Sequence, residues 1–534
     1  MTRRFPAVRR AARWPGEYLV DCVRVDTRSL AVFRIFVGLL VVADILLRSR
    51  NFWFYYTDDG IVPQSLAQAD TPEYAVSVYY LTSEPVAIAG LFALTALVGL
   101  SLVVGYRTRA ATVLTFLLVI SLDHHNPFVT SYADTLFRLL LFWAIFLPLG
   151  ERWSVDAVHA ETTHPDWEPR STVAGFATFF ALGQMVMMYL QNGIHKRESG
   201  LWQSGEATPL IFGIDEMTFL LGEFLGAFPT LLTYGGLLWF YMLLGSWLLI
   251  LFRGRLRLPL VALFVGGHLT FALTVRIGAF AYVALAGLVL FVQTPVWEDG
   301  RGLSRWLDSR FGLDPVDRVP WDVFRRFARQ LPAFRLLPDR YGWLQPTVYT
   351  VGFGAVVVAL ALVAAVFLFN AGAITESGYD QHQLNHEVEQ VTGGEYVYTV
   401  ARGLGVRQPE WSVFAPHPRT TDRYYVFGAT TVEGDRVDAF NDRAFTWDRP
   451  TPLQDQHDTY RQRFFMNSIR RGSAGGELTR QYSEHICTTY AERGIELSHI
   501  SMFEVTETIT LETITDPTDR ETDRDHFYRH HCGT

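Results

Sequence analysis

Nine stretches of the chain are almost free of charge, and each comes near the roughly 20 residues a helix needs to cross a bilayer's hydrocarbon core. They cover 29 to 47, 85 to 104, 109 to 122, 135 to 149, 173 to 193, 228 to 252, 258 to 275, 277 to 294 and 347 to 372, the third and fourth being short. Beyond Phe369 the apolar runs stop, and polar segments with turn residues take over, as at Thr392-Gly393-Gly394. Tyr424 to Val426 and Arg436 to Phe440, joined by a Val432-Glu433-Gly434-Asp435 turn, read as a hairpin, and Ile500 to Leu511 alternates like a half-buried strand. Tyr460 to Ile469 and Glu477 to Arg493 read as helices split by Gly472-Ser473-Ala474-Gly475-Gly476. The pattern predicts a polytopic all-α membrane bundle of about nine transmembrane helices, followed by a small extracytoplasmic α+β domain.

Arginine placement orients such a bundle, because short loops rich in positive charge stay on the cytoplasmic side. Arg3, Arg4, Arg9, Arg10 and Arg13 precede the first apolar run, Arg107 and Arg109 follow the second, and Arg253 to Arg257 carries three arginines. The loop 295–346 carries nine, whereas the alternate loops 48–84, 123–134 and 194–227 are poor in arginine for their length. The first 28 residues have no apolar core of their own, so the first span is expected to act as a signal anchor rather than as a cleavable peptide. These counts predict a multi-pass cell-membrane protein with a cytoplasmic segment 1–28, a transmembrane domain 29–372 that includes cytoplasmic loop 295–346, and an extracytoplasmic domain 373–534.

Composition agrees, with 49% hydrophobic residues overall. The exported tail holds 26 carboxylates against 16 arginines, a formal charge of −10, and that acidity points to a surface suited to high salt, as in a halophilic microbe. Three cysteines exclude a disulfide framework, although Cys487 and Cys532 share the outer domain and can form one bridge. There is no GxxxxGK[ST] loop, and the basic clusters sit where topology requires them, so neither phosphate cradling nor nucleic-acid binding is expected. His526, His530, His531 and Cys532 have metal-ligand residue types, but read as a frayed polar tail, and no metal is expected.

Against 45 arginines the chain has one lysine, Lys196, just past the fifth apolar run. Arginine supplies positive charge equally well but stays protonated at any ordinary pH, so only lysine can be tuned by burial into a neutral base. The lysine is flanked by Arg197, and Trp202 can shield it, which would lower its basicity; Glu198 pulls the other way. Other ionisable residues fall within or beside the apolar runs: Arg34 and Asp44 on the first, Asp134 and Arg138 at the start of the fourth, His268 inside the seventh and Arg276 at its end. Arg34 and Asp44 suit an internal structural ion pair as well as a functional role, and His268 suits either a core histidine or a site residue. By topology Asp134, Arg138, Lys196 and Arg276 lie toward one side of the bilayer, where a single cavity can collect them.

The order and spacing of several motifs resemble the membrane domain shared by vitamin K-dependent gamma-carboxylases and their microbial homologues, the horizontally transferred transmembrane (HTTM) domain. They are Ser29-Leu30-Ala31-Val32-Phe33-Arg34-Ile35 with Asp44, Phe54-Tyr55-Tyr56-Thr57-Asp58-Asp59-Gly60-Ile61-Val62-Pro63, Asn126-Pro127 and Arg152-Trp153-Ser154-Val155-Asp156. Lys196 to Gly205 is similar to the family's lysine segment closing in Trp-x-x-Gly, and His268 stands nine residues before Ile277-Gly278-Ala279-Phe280-Ala281-Tyr282. The resemblance covers most of the first 300 residues, and Gln408 to Pro418 looks like the tail of microbial members.

The resemblance implies a lysine, here Lys196, that deprotonates reduced vitamin K or menaquinol, with His268 as a further catalytic residue. Oxygen-dependent epoxidation of the quinone then drives proton removal from a glutamate and capture of CO2. It implies a lipid quinone and an exported glutamate-containing protein or peptide as partners, with Asp134, Arg138, Arg197, Trp202 and Arg276 as substrate or quinone contacts. The chain departs from the family where animal enzymes have paired lysines, here Lys196-Arg197, and where a family histidine on the fourth span falls near Ala133 or Asp134. Quinol epoxidation without carboxylation, or a non-catalytic membrane scaffold, are the competing expectations.

Overall fold

The computed structural model describes residues 15–72, 74–75, 77–311, 321–333, 343–369, 390 and 394–533. Arg3 to Arg13, the boundary at 372 and the Thr392-Gly393 turn lie outside the described residues. The principal helices of the first half are α1 (Thr27–Ser49), α2 (Pro85–Val104), α3 (Thr108–His125), α4 (Tyr132–Ala144), α5 (Phe176–Lys196), α6 (Pro229–Leu244), α7 (Leu258–Thr274), α8 (Phe280–Val289), α9 (Thr294–Phe311) and α10 (Leu344–Phe369). Asp26 starts α1 by accepting the Arg28 N–H, at 2.8 Å. Glycine lets α1 and α2 pack closely: a Cβ at Gly38 would stand 2.8 Å from the Gly99 carbonyl oxygen. Leu30, Phe33, Leu136, Leu140, Met185, Phe264 and Val283 fill the centre of the bundle.

The expectation of nine spans is corrected. Among the described residues, three helical stretches are long and apolar enough to cross a membrane: Thr27–Ser49, Pro85–Val104 and Gly254–Thr274. A fourth arises if α8 and α9, bent by 95° at their junction, count as one broken span. The other apolar runs fold differently, for physical reasons. α4 has 13 residues and α8 has 10, too short to span, and most side chains of α4 are buried in protein. The run 228–252 breaks after Leu244, with a separate four-residue turn at Leu248–Leu251. α5 has the length, but Gln184, Gln191, Asn192 and Lys196 lie along it. α3 ends in buried Asp123, His124 and His125. The described apolar part of α10 is Pro346–Ala361. An apolar run records burial without saying whether lipid or protein provides it.

The second half carries a five-stranded antiparallel sheet in the order β5-β4-β3-β6-β7, formed by β3 (Thr421–Thr431), β4 (Arg436–Asp438), β5 (Arg443–Ala444), β6 (Leu497–Thr508) and β7 (Thr522–His531); β1 (Val25–Asp26) and β2 (Thr172–Val173) form a separate short pair. In the register of the central pair, Tyr425 faces Glu504 and Phe427 faces Met502. Helices α11 (Tyr460–Arg470) and α12 (Glu477–Glu492) cover one face, and a disulfide joins Cys487 on α12 to Cys532 after β7. His526, His530 and His531 lie on or at the end of an extended strand, so the first two are not one helical turn apart. The sheet does not form an isolated core. Tyr425, Phe427, Phe465, Met466 and Met502 share one apolar cluster with Tyr55, Tyr56, Ile61 and Phe128 from the loops of the bundle.

A lysine at the wall of an apolar cavity

Lys196 is the last residue of α5 and is 2% exposed. Gln184, Met188, Asn192 and Lys196 recur every four residues, which sets them on one stripe of the helix. The segment Gln408–Phe414 lies along that stripe. Gln184 donates to Gln408 Oε1 at 3.1 Å, and Asn192 Nδ2 donates to the carbonyls of Trp411 and Val413 at 2.7 and 3.0 Å. Lys196 Nζ donates to the carbonyls of Val413 and Phe414 at 2.7 and 3.1 Å. Trp202 Nε1 donates to the Phe414 carbonyl at 2.9 Å, and its ring centroid lies 3.9 Å from Nζ. Trp411 is fully buried, and it and Phe414 both have φ of +51°, a left-handed conformation that side chains rarely adopt unless surrounding contacts impose it.

No ion pair joins Lys196 to a carboxylate among the described residues, and Glu198 and Arg197 both point into solvent. The sign left open by the sequence is therefore decided by burial, which pushes the Lys196 amine well below its ordinary range. Two carbonyl dipoles and the Trp202 ring favour the charged form, but neither brings the full opposite charge that a buried ammonium needs. A neutral amine keeps two N–H bonds, enough for both carbonyls, and one lone pair.

The amine borders an apolar cavity of about 550 Å³, whose walls include Tyr189, Trp202, Trp239, His268, Phe271 and Phe280. His268, 1% exposed on α7, has Nε2 2.8 Å from the Tyr189 hydroxyl, while its Nδ1 has no hydrogen-bond partner. Buried polar atoms are nearly always paired, so an unpaired ring nitrogen beside a cavity is available to a ligand oxygen.

The remaining expected site residues do not join this cavity. Asp134 and Arg276 line a second one, of about 560 Å³, between the bundle and the sheet domain. Arg138 bonds Asp123 at 2.8 Å and the Gly405 carbonyl at 3.0 Å. Arg34 and Asp44 are not partners: Arg34 donates to the carbonyls of Leu149, Arg152 and Trp153, and Asp44 takes Arg48 and Arg461. A buried network thus forms in which Arg48 meets Asp44, Asp123 and Asp134, and Arg461 of the sheet domain meets Asp44 and Asp134. Sequence reasoning missed Arg48, Asp123, Arg461, Tyr189, Asn192 and Trp411. The four-residue spacing before Lys196 was a signal for Asn192; contacts from residues more than 200 positions away have none.

Residues 23–297 match the model of the HTTM domain, just over half of the chain. Comparison with curated proteins and with solved structures gives no match.

Proposed function

The chain belongs to the HTTM domain family, and on that premise we propose that it is a membrane enzyme of the gamma-glutamyl carboxylase type, in which Lys196 deprotonates a reduced naphthoquinone, vitamin K hydroquinone or menaquinol. The observation that carries this reading is the setting of Lys196: an enclosed amine, without a carboxylate partner among the described residues, on the wall of an apolar cavity. A flat bicyclic quinol suits a cavity of about 550 Å³ lined by aromatic rings. When bound, the quinol supplies, through epoxidation with O2, the strong base that takes a glutamate γ-proton, after which CO2 adds at that carbon.

The chain's own residues position and move protons. The Val413 and Phe414 carbonyls fix the amine, leaving its lone pair to receive a hydroxyl proton. His268 Nδ1 offers a hydrogen bond to a quinol oxygen, and the Tyr189 hydroxyl at Nε2 holds the ring in place. Trp239, Phe271 and Phe280 surround His268 and keep water from the reacting oxygens. The acceptor would be a glutamate on an exported protein or peptide, reached from the side on which arginine placement sets the sheet domain.

A specific observation favours a second reading, quinol epoxidation without carboxylation. Among the described lining residues of this cavity there is no arginine, aspartate or glutamate, so no guanidinium stands ready for a glutamate carboxylate there.

The test is to follow reduced menaquinone with oxygen and the purified protein, alongside its Lys196→Arg and Lys196→Ala variants. Loss of general-base catalysis is expected to slow quinol consumption by at least about 100-fold in both. An Arg variant as fast as the parent would remove the base assignment. Labelled bicarbonate separates the two readings: label in a peptide glutamate means carboxylation, and epoxide without label means the second.

A further inference from the structure

Helix α9 is amphipathic. Leu303, Trp306, Leu307 and Phe311 recur at helical spacing along one side, and Glu298, Arg301, Arg305 and Asp308 along the other. Six charged residues among its 18 forbid it from crossing a bilayer itself. Its axis turns 95° away from α8, which packs against both α1 and α7. The first turn of α9 is tied to the start of α1: Thr294 Oγ1 donates to Asp26 at 2.7 Å, and Trp297 Nε1 donates to Ser29 Oγ at 2.8 Å. Arg255, at the start of the stretch Gly254–Thr274, pairs with Asp299 at 2.7 Å. A helix that leaves at a right angle from the level where two candidate spans begin runs along the surface of the bilayer rather than into it.

A second helix, Trp321–Gln330, lies at the same edge of the bundle. Its Phe324 and Ala328 pack on Val155 and Val158, and the Tyr106 hydroxyl, just past the end of α2, donates to the Pro332 carbonyl at 3.0 Å. The Trp153 ring lies 6.0 Å from that of Trp297 and 6.4 Å from that of Trp321, so tryptophans link the two helices. Such rings collect where a bilayer meets water. Three arginines against Asp322 alone give this helix a formal charge of +2, in a chain whose net charge is −8. Arg325 meets Glu161 at 3.7 Å, whereas Arg326 and Arg329 are exposed and make no ion pair among the described residues.

Leu303, Trp306 and Phe311 on α9 are 57, 56 and 59% exposed. Three side chains of this size cannot supply the roughly 800 Å² per partner that a stable protein interface buries. We propose that α9 and the helix Trp321–Gln330 form a platform lying in the surface of an anionic phospholipid layer. Leu303, Trp306 and Phe311 seat at the boundary between headgroups and acyl chains, while Arg326 and Arg329 hold lipid phosphates. Guanidinium groups suit phosphate oxygens, and an amphipathic helix in the membrane plane sinks its apolar face by about 5 to 10 Å. Arg28, which lies over the Trp297 ring, and Arg255 mark this edge as the cytoplasmic one by arginine placement, and cytoplasmic leaflets carry the negative lipids. The platform stands apart from Lys196 and does not depend on what that amine does.

Fluorescence quenching on the full chain in lipid nanodiscs tests this. Cys22 is the one free cysteine among the described residues, so Cys22→Ser clears the background for a bimane label at Leu303→Cys or, on the opposite side of α9, at Arg305→Cys. Phosphatidylcholine carrying a nitroxide near its headgroup is expected to quench the label at 303 at least about threefold more strongly than the label at 305, and aqueous iodide should show the reverse order. Replacing the quencher by nitroxide-labelled phosphatidylglycerol should strengthen quenching at 303 by about twofold or more, and the excess should vanish in the Arg326→Gln, Arg329→Gln double variant. Melting temperatures like the parent's confirm that each labelled protein is folded. The proposal is overturned if iodide reaches 303 as readily as 305, or if 303 is shielded from both iodide and lipid, which would mean a protein cover. It is overturned equally if the two lipids quench alike, or if the double variant keeps the excess.

Discussion

His457 and Lys196 are both basic groups whose charged form the fold disfavours, each chiefly through burial. For His457 the folded value near 4 lies below the ordinary 6.5. Between those limits the unfolded chain binds the proton and the folded chain does not, so stability is complete above about pH 6.5 and is lost as pH falls toward 4. The loss amounts to at most about 3 kcal/mol. A melting-temperature series from pH 7 to pH 4 should therefore slope downward in the parent and flatten in His457→Asn; equal slopes would show that another group controls the acid response. At this scale the sequence was most legible where bias made a residue rare. A single lysine among arginines was visible at once, whereas Arg197, its immediate neighbour, proved to be solvated. Adjacency in a helix turns successive side chains about 100° apart, so the partners of Lys196 are the Val413 and Phe414 carbonyls and the Trp202 ring rather than residue 197.

Among elements, the turn that follows α7 packs closely against α11. Gly278 has φ of +64°, and a Cβ there would stand 2.3 Å from the Tyr460 ring on α11. Gly278→Ala is expected to cost roughly 2 to 5 kcal/mol, from left-handed strain and overpacking together. A fall in melting temperature reads this out, and a stable variant would mean that α11 is free to shift. Short-range pattern located the outer elements closely: Tyr460 to Ile469 is α11 but for one residue, and the hairpin strands pair across the turn that the sequence marks. Period and turn chemistry are local, so they survive without tertiary knowledge. The count of membrane crossings failed for the opposite reason. Leu136, Leu139 and Leu140 on α4 are as apolar as any lipid-facing residue, yet all three are buried in protein.

For the whole molecule, the arginine and aspartate network is the seam between bundle and sheet domain. Arg461 enters from α11 and meets Asp44 of α1 and Asp134 of α4. Removing one partner of a buried ionic set leaves uncompensated charge, so Arg461→Met is expected to destabilise by about 3 to 5 kcal/mol and to open the interface to protease before either half unfolds. Cleavage no faster than in the parent would show that the apolar cluster around Phe465 and Phe128 alone keeps the halves together. Asp44 and Asp134 stood out in the chain as charges within or beside apolar runs, but their pairing with Arg461, 417 and 327 positions away, was not readable from it. The clamp on Lys196 has a related consequence. Both oxygens that grip the amine belong to Val413 and Phe414, well past residue 297 where the family match stops. The basicity of the amine is thus adjustable from a part of the polypeptide that the shared domain does not encode, which gives relatives with unlike tails a route to different reactivity from one common lysine.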